Sequence, residues 1–198
     1  MAETRGVFSL KTIVKKKILG DWVELNDVWV SPSPTATTTT APNTGYFGGG
    51  SPGPLSTMDK VTYASDTTAQ VPGAALSAAR LYLAATGNST TGYFGGGGTP
   101  AYSTMDKVTY SSDTTAAVPG ANLSLVRREL AATGNSEAGY FGGGIPTSSL
   151  MDKVTYSTDT TAAVPGAALS VARYNLAASS ARANGLPTTG PTLAPVII

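Results

Sequence analysis

Polar and apolar residues alternate through Lys107-Val108-Thr109-Tyr110, and the same four residues recur at 60–63 and 153–156. A period of two puts Val108 and Tyr110 on one face and Lys107 and Thr109 on the other, which predicts a strand. Asp113-Thr114-Thr115 follows as a turn in which the aspartate side chain caps nearby backbone N–H groups, and a short strand then runs to Pro119. Residues 81–87 (LYLAATG) form a third apolar run. Gly87-Asn88 tolerates positive φ and suits a hairpin turn. It leads into Gly92-Tyr93-Phe94-Gly95-Gly96-Gly97, read as the fourth strand of the unit, buried and glycine-rich where backbones approach closely. Residues 76–86 have a competing reading as a helix of about two and a half turns, because alanine and leucine are good helix formers. The Gly-Asn pair leading directly into Tyr93-Phe94 favours the hairpin.

The hexapeptide GYFGGG begins at Gly45, Gly92 and Gly139, 47 residues apart each time. Asp59 to Asp106 spans the same 47 residues, but Asp106 to Asp152 spans 46. The missing residue falls after the glycines, where the copies differ most, which marks that segment as a loop. Four short strands per unit is the size of one propeller blade. The glycines do not read as a phosphate loop, since no helix opens after them and no Gly-Lys-Ser/Thr tail follows.

Composition narrows the picture. Charged residues make up 13% of the 198, about half the usual share, while 23 glycines and 13 prolines supply turns for many short strands. A net charge of +1 gives no field to draw the chain to nucleic acid or an acidic membrane, and Lys15-Lys16-Lys17 is too short a basic run to change that. The absence of cysteine and histidine excludes disulfides, thiolate metal sites, cysteine nucleophiles and the commonest general base. No run approaches the ~20 apolar residues of a membrane-spanning helix. At the N-terminus the basic run follows the apolar residues, the reverse of a secretory signal, so synthesis in a cytoplasm without export by that route is expected.

The units resemble kelch repeats. The matching features are Tyr93-Phe94-Gly95-Gly96, Asp106 shortly before Tyr110, the Asp113-Thr114-Thr115 turn, Pro119 and Arg127, with counterparts from Tyr46 to Arg80 and from Tyr140 to Arg173. The resemblance covers about 140 residues and implies an all-β fold of kelch-like β-propeller-type blades, with units at 45–91, 92–138 and 139–185. The kelch tryptophan seven residues after the tyrosine is replaced by Gln70, Ala117 and Ala163, so inter-blade packing must differ. The repeats, behind a leader reading RGVFSL…GDWVELNDVWVSP, also resemble virion proteins of marine tailed phages, including those of cyanobacteria. That resemblance implies a structural or tail-associated virion protein made in the host cytoplasm, and carries no site residues.

Residues 1–30 read as a separate docking segment. Ser9 caps a helix with Leu10, Ile13, Val14 and Ile18 on one face and Gly20 as its stop, and a strand-like stretch then carries Trp22 and Trp29. So small a piece cannot bury two tryptophans by itself; they pack on the blades or dock onto a larger assembly. A Pro/Ser/Thr-rich linker occupies 31–44 and a tail 186–198. The tail holds LPTTG at 186–190, the sortase pentapeptide, but PTLAPVII after it supplies neither the hydrophobic span nor the basic end that anchoring needs. Closed propellers have about four to eight blades, so three units leave open edges. The first unit lacks its own LYLAATG run and the last ends in a spare version, ARYNLAASS. Two or more chains exchanging this strand, two giving six blades, is one expectation; TATTTT at 35–40 replacing it is the other.

Each unit carries two aspartates (Asp59 and Asp66, Asp106 and Asp113, Asp152 and Asp159) and an arginine (Arg80, Arg127, Arg173). Groups identical in every blade suit the blade's own construction, whereas a catalytic site breaks symmetry around one asymmetric substrate. The aspartates are read as turn and cap residues and the arginines as their partners or as caps on carbonyls between blades. No catalytic residue, metal ligand or cofactor is expected, and the chain is not expected to be an enzyme. The candidate partner contacts are Trp22 and Trp29, then the variable loops with Pro52, Pro54 and Leu55, Pro100 and Tyr102, and Ile145 and Pro146. The expected partners are other virion proteins, further copies of the chain and a host surface receptor or glycan. A glycan- or receptor-binding adhesin is the alternative function.

Overall fold

Each Met-Asp-Lys-Val-Thr segment forms a strand flanked on one side by the glycine-rich strand and on the other by a Thr-Thr-Ala strand. The structure, a computed structural model, describes residues 43–180, all within one compact unit. Trp22, Trp29, the Pro/Ser/Thr-rich segment up to residue 42 and the LPTTG tail lie outside the described residues. The first sheet holds β1 (Thr44–Gly48), β2 (Met58–Thr62) and β3 (Thr67–Gln70). The second holds β4 (Ala84–Gly87), β5 (Thr91–Gly95), β6 (Met105–Thr109) and β7 (Thr114–Ala117). The third holds β8 (Ala131–Gly134), β9 (Ala138–Gly142), β10 (Met151–Thr155) and β11 (Thr160–Ala163). Neighbours are antiparallel and follow chain order, and the register repeats: Phe47 faces Asp59, Phe94 faces Asp106 and Phe141 faces Asp152. The fold is all-β, built of kelch-like propeller-type blades.

No α-helix occurs among the described residues; the alanine-rich run resolves as a loop entering β4, and each Pro-Gly-Ala triplet forms a single 3-10 turn. In the second and third sheets the glycine-rich strand is not the last but the second, because the apolar run that closes one unit becomes the first strand of the next sheet. Blade and repeat are therefore out of phase. Among the described residues the first sheet has three strands, and the third unit's counterpart of β4 and β8, starting at Ala177, belongs to no sheet.

The hairpin between β4 and β5 forms where expected but not as expected. Neither Gly87 nor Asn88 takes a positive φ. Instead the Asn88 side-chain oxygen accepts the N–H groups of Thr90 and Thr91 at 2.9 and 3.0 Å, and Asn135 does the same for Glu137 and Ala138 at 2.8 and 2.9 Å. Gly87 is required by space, since a Cβ there would lie 2.3 Å from the Thr91 carbonyl oxygen.

The core sits between sheets rather than within one. Met58, Ala74 and Leu76 of the first unit close on Phe94 and Val108 of the second. Tyr93, Met105 and Leu123 of the second close on Phe141, Val154 and Tyr156 of the third. Burying such side chains contributes roughly 1.5–3 kcal/mol each, so most of the hydrophobic stabilisation belongs to the joints between blades.

Candidate functional site

Arg80 is held by both ends. Its N–H donates to the Leu55 carbonyl and its own carbonyl accepts from Gly50, each at 2.9 Å, which ties its backbone to the first unit. Its guanidinium enters the second, donating to the carbonyls of Gly96 and Thr104 at 2.8 Å and to the Asp106 carboxylate at 2.5 Å. Arg127 repeats the arrangement one blade on, with Gly143 at 2.8 Å, Leu150 at 3.0 Å and Asp152 at 2.6 Å. All four charged groups are fully buried. Such burial is tolerable only when each charge is paired and hydrogen-bonded, and the planar fork of arginine can serve two carbonyls and a carboxylate at once. Burial pulls Arg80 below the ordinary arginine value, with the Asp106 charge working against that shift. The glycine run is explained here: Gly96 has φ +69, and a Cβ on it would lie 2.6 Å from the Arg127 carbonyl oxygen. Only a residue without a side chain lets the arginine backbone come so close.

A second contact lies nearer the surface. Tyr46 donates its hydroxyl to Asp113, and Lys60 reaches the same carboxylate at 2.9 and 3.0 Å. The Tyr46 ring stacks on Tyr110 with centroids 5.0 Å apart. Tyr93, Lys107, Asp159 and Tyr156 repeat this group between the second and third units, with Lys107 at 2.8 and 2.9 Å. Asp113 is held below the ordinary carboxylate value, first by the Tyr46 hydrogen bond and then by Lys60. Burial pushes Asp159 up, but Lys107 and Tyr93 outweigh it. The Tyr46 and Tyr93 hydroxyls are raised, by burial and then by the aspartate each one faces.

The aspartates therefore divide. In the second and third units the first aspartate, Asp106 or Asp152, lies within a strand rather than in a turn and takes the arginine of the preceding unit, so it is a partner between blades and not a turn cap. The second sits in its turn at φ 52 for Asp113, but its side chain does not cap that turn, because it is drawn across the joint to a tyrosine and a lysine. The tyrosine and lysine of this contact went unrecognised in the sequence, although both recur in every unit.

The terminal units carry one half of each contact. Phe47 is 69% exposed where Phe94 and Phe141 are 5% and 0%. Tyr63 is 57% exposed where Tyr156 is 7%. Asp66, Arg173 and Ala167 are exposed, while Arg80, Arg127, Ala74 and Ala121 are buried. The chain thus presents a leading face on its first unit and a trailing face on its third.

The loop residues singled out in the sequence lie where loops were expected. Pro52, Pro54, Pro100 and Pro146 are exposed, Leu55 and Tyr102 partly so, and Ile145 is half-buried. Leu55 and Ile145 bridge to Arg80 and Arg128, so both are tied into the fold rather than projecting freely. A groove between the second and third sheets is lined by Asn88, Lys107, Glu137, Lys153 and Tyr156. No group of three or more acidic side chains is placed to hold a metal ion among the described residues.

No protein-family model matches the chain, and no curated protein matches it either. Among solved structures, the one described as "Structure of YjhT" superposes with a TM-score of 0.51 at 11% identity over 62% of this chain. The chain spans 47% of that structure's length, about half. At this identity the likeness concerns the fold, a β-propeller type, and nothing more.

Proposed function

We propose that the protein is a non-enzymatic structural component of a tailed-phage particle, a tail fibre, tail adaptor or decoration component. It attaches through residues 1–30 and assembles as an oligomer through its repeats. The observation that carries this reading is the use made of the recurring charged groups. Arg80, Asp106, Arg127 and Asp152 are spent inside the joints, and Lys60, Asp113, Lys107 and Asp159 clamp their rims. What the repeats specify residue by residue is cohesion between blades, the property a building block needs. The exposed loops at Pro52–Leu55, Pro100–Tyr102 and Pro146 then face other subunits or a host receptor.

The test is mass spectrometry of purified particles from the phage that encodes the chain. Recovery in stoichiometric amounts, lost when residues 1–30 are deleted, supports the reading. Its presence only among soluble proteins of the lysate, and never in washed particles, refutes it.

A further inference from the structure

We propose that two copies of this chain close on each other head to tail, the third unit of one against the first unit of the other, as a six-bladed ring. The two joints already present within the chain are the template. At each, an arginine, a lysine, a tyrosine and an alanine carbonyl of one unit meet two aspartates, a tyrosine and a threonine of the next; Thr115 and Thr161 donate to the carbonyls of Ala74 and Ala121 at 2.5 and 2.6 Å. The third unit carries the same donors in Arg173, Lys153 and Tyr140. The first carries the same acceptors in Asp59 and Asp66, and none of these five side chains has a hydrogen-bond or ion-pair partner among the described residues.

The match extends to shape and backbone. Phe94 and Phe141 each close on a glycine of the preceding blade, Gly48 and Gly95. Gly142 has no such ring against it, while Phe47 stands exposed. Among the described residues, β1 is an edge strand on the side where β5 and β9 pair with β4 and β8. The segment starting at Ala177 is already seated beside β8, where the Thr133 hydroxyl donates to the Ser179 carbonyl at 2.9 Å. In the register of β4 with β5, Ala178 would face Phe47 of the partner subunit as Ala85 faces Phe94. The sequence agrees: Gly-Asn, which closes the hairpin after β4 and after β8, is replaced by Ser180-Ala181, so the residues that make that hairpin are missing from the third unit. A trailing face meeting a different leading face is a heterologous contact, which must close into a ring or run on as a filament. Two chains supply six blades, within the range of about four to eight in closed propellers.

This deepens the oligomer part of the proposed function, and the two fail separately: a dimer in solution from a protein absent from particles removes the function and leaves the ring. The experiment is native mass spectrometry and sedimentation of the full chain, with R173E and D59R. The wild type is expected at twice the 20.0 kDa chain mass. Each variant reverses one charge at both joints and weakens the dimer by roughly a hundredfold or more, to single-chain mass with an unchanged far-ultraviolet dichroism spectrum. Mixing the two variants re-creates one native joint and one with the charges exchanged, and restores the dimer; a misfolded variant cannot do this. Three results would overturn the proposal. They are a monomeric wild type, which means residues 1–42 or 181–198 of the same chain cover these faces, a ladder of sizes, which means an open filament, and variants that stay as dimeric as the wild type.

Discussion

Replacing Arg127 by methionine keeps most of the volume of a fully buried side chain and deletes its charge. Four contacts go with it: the carbonyls of Gly143, Leu150 and Phe141 at 2.8, 3.0 and 3.4 Å, and Asp152 at 2.6 Å. Asp152 stays behind, buried, with only the N–H and hydroxyl of Ser124 at 3.1 and 2.6 Å for company. Removing one partner of a buried ion pair costs about 3–5 kcal/mol, most of it the penalty of the charge left unpaired, so R127M should lower the folding constant by two to nearly four decades. The double variant R127M/D152N removes both charges and should recover roughly half of that loss. Urea unfolding followed by far-ultraviolet dichroism, at one fixed protein concentration, measures both. A loss below about 1 kcal/mol for R127M would refute the reasoning, as would a double variant less stable than R127M, because the energy would then not lie in the pairing. R80M should be the more severe of the two single arginine variants. Asp106 has a side-chain oxygen with no partner, whereas the matching oxygen of Asp152 holds the Ser124 hydroxyl.

Two further outcomes follow from the same geometry. G96A places a Cβ 2.6 Å from the Arg127 carbonyl oxygen on a backbone with φ +69, so it should lose about 2–4 kcal/mol in urea unfolding, and a neutral result would show that the arginine loop can move aside. Asp113 and Asp159 are held below their ordinary value of 3.8 in the folded chain, so they add stability above that value which is lost as pH falls through their folded values. Tyr46 and Tyr93 are raised from 10.0, so stability should also fall as pH climbs above 10. Thermal unfolding from pH 2 to 11 should decline at both ends, and D113N/D159N should flatten the acid limb; an unchanged acid limb would remove these carboxylates from the account.

The alternation in Lys107–Tyr110, the punctuation by glycine and proline and the 47-residue period determine the strands, their order and the number of blades, because these are local or periodic properties written in one dimension. The recurrence of Arg80 and Arg127 with aspartates also marked a contact between blades, since identical charges in every unit must serve something that every unit shares. Only the tertiary structure decided which aspartate met which cation. Asp106 and Asp113 are seven residues apart in one unit and look interchangeable in sequence. The first faces inward opposite Phe94, and the second leaves its turn towards Tyr46 of the preceding unit. The phase of the blade was equally hidden, because a strand contributed from the end of one unit to the sheet of the next leaves the repeat unchanged wherever it is cut. Hydrogen bonding in a sheet is satisfied by the neighbour in space, and for β4 and β8, which end their units, that neighbour belongs to the next unit. For the same reason the first and third units, identical in kind to the second, differ from it in what they expose.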